Sequence, residues 1–155
     1  TLEPKSVDFV IAAQAFHWFN HEKARAEFKR ILKDDGFVAL LWNERQLHTT
    51  DFLRGYERLL IKFGIDYEQT RHDNIADETL RNFFQTDYRH KSFLNVQSLD
   101  FAGLKGRMLS SSYMLTGGDE NFELMIAELR RLFADYEKDS RIEILYTTNV
   151  YYARI

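Results

Sequence analysis

Two short stretches hold side chains of kinds that can do chemistry. Gln14, Phe16, His17 and Trp18 lie in AAQAFHWFN, and Trp42, Asn43 and Glu44 lie in LLWNE. Aromatic faces attract cations, an imidazole exchanges protons near neutral pH, and carboxamides offer both donor and acceptor. Each stretch follows an apolar run: Val7 to Ala13, interrupted only by Asp8, and Phe37 to Trp42.

The elements that must position them read as one βαβ unit from Ser6 to Glu44. The run Val7 to Ala13 predicts a parallel strand covered on both faces. Asn20 has a side-chain oxygen suited to capping the next helix. In that helix Ala24, Phe28, Ile31 and Leu32 fall on one apolar stripe. Glu22 in its first turn and Lys29, Arg30 and Lys33 in its last complement the helix dipole. Asp34-Asp35-Gly36 is expected to stop the helix before a second strand, Phe37 to Trp42. A right-handed crossover then opens both strand ends at one sheet edge, where open α/β sheets bind ligands.

AAQAFHWFN followed by RILKDDGFVALLWNE resembles the fourth strand, helix and fifth strand of class I S-adenosylmethionine-dependent methyltransferases. The similarity is to the methyltransferase type 11 and trans-aconitate methyltransferase-like branch. The resemblance implies an α/β fold, the C-terminal half of a Rossmann-like doubly wound sheet. It would hold strands four to seven, the last inserted antiparallel between the fifth and sixth. It also implies S-adenosylmethionine as cofactor and methyl transfer to a small organic molecule, with a carboxylate among the candidates. Ala13, Gln14 and Phe16 would border the cofactor, its methionine part at the backbone of Ala13 and Gln14. His17 would be the catalytic positioner or general base. Trp18, Trp42 and Asn43 would line the substrate. No metal is implied.

In that family the cofactor is held mainly by a Gly-rich turn, an acidic strand end and an Asp, all in the first half of the domain. Residues 1–155 show none of these. The chain is therefore expected to be a partial domain, a fragment inactive alone, whose partners are the small-molecule substrate, the missing N-terminal half and a second copy. By that expectation Val7 to Ala13, which belongs beside the absent first strand, would present an unpaired apolar edge.

Composition narrows the alternatives. Hydrophobic residues at 45% and aromatics at 15% exclude a disordered chain. A net charge of −3 gives no reason to expect nucleic acid or an anionic membrane as partner. With no Cys there are no disulfides or thiol nucleophiles, which suits a cytoplasmic protein. No apolar run is long enough to span a membrane.

Residues 43–86 predict a helical insertion, a possible substrate lid in the family resembled. Within it, Thr50 or Asp51 starts a helix burying Phe52, Leu53, Tyr56, Leu59, Leu60 and Phe63, with Gly64 as its stop. Ile65 to Asn74 is irregular, and a short helix follows near Ala76 to Phe84. Tyr88 to Val96 reads as an edge strand. Ser98 is expected to cap a helix running to about Tyr113, and Asp119 a second from Phe122 to Tyr136. Arg141 to Ile155 is apolar on both faces and belongs inside a sheet.

Other motifs carry less. His17 and His21 have zinc-like spacing, but His17 precedes the helix and no third ligand follows. Gly117-Gly118 is followed by Asp119, Glu120 and Glu123, which repel an anion. Gly103 and Gly106 have a nucleic-acid-clamp spacing without a basic stripe, and Ser110 to Ser112 have no adjacent base. The competing readings are hydrogen bonding within the turn for His17 and core packing for Trp18 and Trp42. At the level of the protein they are a non-catalytic binding or scaffold domain and a nucleotide-dependent oxidoreductase.

Overall fold

The strand, helix and strand expected between Ser6 and Glu44 are present in a computed structural model, which describes residues 2–67 and 77–155. They are β1 (Val7–Ala13), α1 (His21–Ile31) and β2 (Leu32–Arg45). A 3-10 turn (Phe16–Trp18) joins β1 to α1. Asn20 caps α1 as expected, its side chain accepting from Lys23 N at 3.0 Å. After these come α2 (Asp51–Phe63), α3 (Asp77–Phe84), β3 (Arg89–Leu99), α4 (Phe101–Leu109), α5 (Phe122–Tyr136) and β4 (Ile142–Ala153).

The four strands form one sheet in the order β1-β2-β4-β3. β1 and β2 are parallel, with Val10 opposite Val38 and Ala13 opposite Leu41. β4 runs against β2: Asn43 meets Thr148, while Gln46, further on, meets Leu145. The last strand thus lies antiparallel between the second and third, as the resemblance implied. β2 begins at Leu32 rather than Phe37, and its register with β1 shifts between Val7 and Phe9. Gly36 is required in that irregularity. A Cβ there would lie 2.7 Å from Leu32 Cδ2 and 3.0 Å from the Asp8 carbonyl.

The chain divides into two units. The first comprises Thr1–Glu44, Asp73–Leu94 and Thr147–Ile155. Its core joins Ala12, Val38, Leu40 and Trp42 on one sheet face to Phe16, Leu80, Phe83 and Phe84. Burying each of the larger side chains contributes on the order of 1.5–3 kcal/mol. The second unit comprises Arg45–His72 and Asn95–Tyr146. There the apolar face of α2 packs with Leu104, Met108, Met125 and Leu129 and with Ile142, Ile144 and Tyr146 of β4. Gly55 allows α2 to approach α5 closely, since a Cβ would fall 2.5 Å from Leu132 Cδ1.

Several boundaries differ from expectation. Thr50 caps α2 through Leu53 N, but Ser98 lies in β3 and Asp100 caps α4 by accepting from Gly103 N. Asp100 is nearer the first helical amide, so its carboxylate wins. Asp119 accepts instead from Thr116, closing the turn before α5, whose N-cap Asn121 is left-handed with no side-chain cap bond. The stretch 43–86 supplies α2 to the second unit and α3 to the first; its residues 68–76, with most of the irregular Ile65 to Asn74 segment, lie outside the described residues.

β1 presents the unpaired edge that was expected, but departs from the cover on both faces that its apolar run predicts. It is not covered on both faces: Phe9 and Ile11 are 63% and 65% exposed, on the face opposite the core. Among the described residues Phe9 stacks only on Phe37, at 6.2 Å between centroids. Among the described residues β1 is first in the sheet order, so one backbone edge is unpaired. Light scattering on the 155-residue chain should therefore show concentration-dependent self-association. Phe9→Lys combined with Ile11→Lys should shift it toward monomer, and an unmodified chain that stays monomeric would contradict the role given to this face.

Candidate functional site

The end of β1 is shaped by one residue in an uncommon conformation. Gln14 has φ 52°, in the left-handed region, which for a non-glycine residue costs on the order of 1–3 kcal/mol. The conformation bends the chain out of the strand while keeping it tied to β2. Gln14 N donates to the Leu41 carbonyl at 3.0 Å, and Gln14 Nε2 donates to the Asn43 carbonyl at 3.1 Å. The 3-10 turn then closes through Trp18 N to the Ala15 carbonyl at 3.0 Å.

That turn separates its side chains sharply. Phe16 is fully buried, stacked on His21 at 4.2 Å and edge-on to Phe83 at 4.6 Å and Trp42 at 6.0 Å. Trp42 is also buried. These two, expected beside cofactor and substrate, spend their ring faces on the aromatic core of the first unit. Their apolar area is better satisfied there than at an open edge. His17 is half-buried next to Trp18, with ring centroids 4.9 Å apart, and Trp18 is 77% exposed. Ala13 and Gln14 are exposed. The open group is therefore Ala13, Gln14, His17 and Trp18, with Asn43 tied in behind it. Asn43 Oδ1 accepts from Thr148 Oγ1 at 2.8 Å.

Sequence reasoning missed a second polar group in the first unit. Asn149 is buried and donates from Nδ2 to Glu44 Oε2 at 2.9 Å. Its Oδ1 receives Ser92 Oγ at 2.7 Å and His90 Nε2 at 2.9 Å. His90 stacks on Tyr151 at 4.3 Å. A signal was available: Asn149 is a polar residue inside the apolar β4 run, and His90 and Ser92 alternate onto one face of β3.

The second unit holds a buried ion pair. Arg45 is bridged to Glu57, with side chains 12% and 4% exposed. Tyr67 OH donates to Glu57 Oε2 at 2.8 Å and receives Arg45 Nη2 at 2.9 Å. Burial opposes the charge of Arg45, but the Glu57 hydrogen bond and neighbouring fields outweigh it and raise its pKa. Burial is also the main cause raising the Tyr56 and Tyr67 phenols above their ordinary value, so both stay protonated at neutral pH. No local motif marks this group, because its members are spread from β2 to α2 and beyond.

Comparison with known proteins agrees with this architecture. A methyltransferase-domain family profile matches residues 1–40. An uncharacterized methyltransferase of Mycobacterium tuberculosis is 31% identical over 140 residues, covering 87% of this chain and 52% of the relative. An uncharacterized methyltransferase-like protein of Schizosaccharomyces pombe is 40% identical over 65 residues, covering 42% of this chain and 25% of the relative. The solved structure of a candidate type II methyltransferase from Anaeromyxobacter dehalogenans superposes with a TM-score of 0.66 at 17% identity, covering 99% of this chain and 66% of that one. The fold is that of the Rossmann-like methyltransferases. The chain carries a methyltransferase-like domain, and it spans about half the length of the mycobacterial relative (52%).

The contrast between Phe16 and Trp18 is measurable. Phe16→Ala should cost about 3–5 kcal/mol of stability, as for a large aromatic lost from a packed core. Trp18→Ala should change stability by only about 0.5 kcal/mol, as at an exposed position. Denaturant titration of both variants checks this, and equal losses would contradict the packing described.

Proposed function

We propose that this chain is part of an enzyme that transfers a methyl group from S-adenosylmethionine to a small organic molecule. The observation that carries this reading is the left-handed Gln14 turn, which leaves Ala13, Gln14, His17 and Trp18 at the open end of the parallel β1–β2 pair. The residues fit one end of such a cofactor. Gln14 donates its amide N–H to Asn43, and among the described residues its side-chain oxygen has no partner, so it can accept from an α-ammonium group. The exposed Trp18 ring suits a sulfonium, by cation–π attraction.

When bound, the cofactor supplies a methyl group already activated on a sulfonium. This chain's residues then have only to align, dry and deprotonate. Asn43, held by Gln14 and Thr148, fixes the floor of the turn. His17 orients the acceptor and takes up its proton. No helix among the described residues is long and apolar enough to cross a membrane; the absence of Cys favours a cytoplasmic setting.

In the full-length protein His17→Ala should lower kcat by about 10²–10⁴-fold, the usual contribution of a positioned acid or base. Cofactor affinity, measured by calorimetry, should stay nearly unchanged, since the loss falls on the transition state. Undiminished turnover would remove His17 from the reaction. A full-length protein that neither binds the cofactor nor transfers methyl would leave a binding or scaffold domain instead.

A further inference from the structure

We infer that the second unit contains a binding site for a carboxylate, built on Arg45 and Arg107 and walled by tyrosines. The first observation is an unfilled donor. Arg45 makes its bonds to Glu57 and Tyr67 through Nη2 alone, and Nη1 is buried with no hydrogen-bond partner. Leaving a buried guanidinium nitrogen unpaired is costly, and native structures avoid it unless something else fills the position.

Arg107 supplies the second observation. It is half-buried, yet its side chain bonds only to hydroxyls, Tyr146 at 3.4 Å and Ser111 at 3.5 Å. Both contacts are long for a charged donor. Among the described residues no carboxylate pairs with it. Its charge is felt mainly by phenols, those of Tyr146, Tyr56 and Tyr113. The Tyr56 phenol lies in the fields of both Arg45 and Arg107, and the Arg45 guanidinium stands 5.2 Å from the centre of the Tyr56 ring. Tyr146 OH is fixed by donating to Gln97 Oε1 at 2.8 Å. Two guanidiniums thus share one neighbourhood in which the described acid is the single Glu57.

One negative charge balances that set, and a planar carboxylate matches the guanidinium fork. A dianionic phosphate would place its second charge beside Glu57, the acid already there. The half-buried ring of Tyr113, beside Tyr67, suits an apolar or aromatic remainder. The binding site stands without the methyl-transfer reading.

The test is calorimetric titration of the chain with benzoate and acetate, with benzyl alcohol as an uncharged analogue and with inorganic phosphate. Arg45 is left intact, because removing it would break its buried ion pair with Glu57. The variants are Arg107→Met and Tyr146→Phe, each checked for an unchanged circular dichroism spectrum and thermal midpoint. Saturable binding of a carboxylate, weakened about tenfold or more by Arg107→Met and less by Tyr146→Phe, is expected, with none for benzyl alcohol. The inference is overturned by no saturable binding of either carboxylate, by equal affinity in Arg107→Met, or by phosphate binding more tightly than both carboxylates. Should a carboxylate bind as expected while the full-length protein transfers no methyl group, the enzyme reading fails and the site remains.

Discussion

The sheet depends on the seat of its last strand. β4 lies between β2 and β3, so its backbone groups are satisfied on both sides. Asn149 shows the arrangement in one side chain, reaching Glu44 of β2 with its amide and receiving His90 and Ser92 of β3 on its oxygen. β3 is exposed along nearly its whole length, and among the described residues its only neighbour in the sheet is β4. Without β4 it would have nothing to pair with, and β2 would become an edge. Ile142, Ile144 and Tyr146 of the same strand anchor the core of the second unit.

At the other end of the sheet, packing and strain are set against each other within a few residues. Gln14 takes a left-handed conformation that a glutamine does not favour. Phe16, two residues on, is driven fully into an aromatic cluster with His21, Trp42 and Phe83. Burial of that ring is worth on the order of 1.5–3 kcal/mol, enough to offset a strained residue. The outcome is that His17 and Trp18 are held on a short, rigid turn instead of a loose loop. A site that aligns reactants by position benefits from such rigidity.

Much of this was legible in local sequence. Asn20 and Thr50 announced the starts of α1 and α2 by capping chemistry alone, and the α2 stripe from Phe52 to Phe63 is buried as its spacing required. The apolar final strand was readable because both its faces are apolar. What was not legible depends on what lies across from a residue. Phe16, Trp18 and Trp42 are similar side chains, yet their exposures are 0%, 77% and 5%, decided by which way the turn and strand present them. Asp100 displaced Ser98 as the cap of α4 because helix starts shift by a residue or two when a better-placed group competes, whereas Asp119 is taken up by Thr116 and α5 starts at Asn121 with no side-chain cap. The Arg45, Glu57 and Tyr67 group leaves no trace in spacing, since strand and helix bring it together only in the folded chain.

β4 is thus an interior strand pairing with both β2 and β3. Hydrogen–deuterium exchange on the 155-residue chain tests it most directly. Amides of Ile144 to Tyr151 should exchange only through global unfolding, as slowly as those of Val38 to Leu41, while alternate amides of β3 should exchange at least tenfold faster through its outer edge, about 1.4 kcal/mol per tenfold. Fast exchange along β4 together with protection along β3 would contradict the strand order, and with it the placement of the Asn149 group built on that strand.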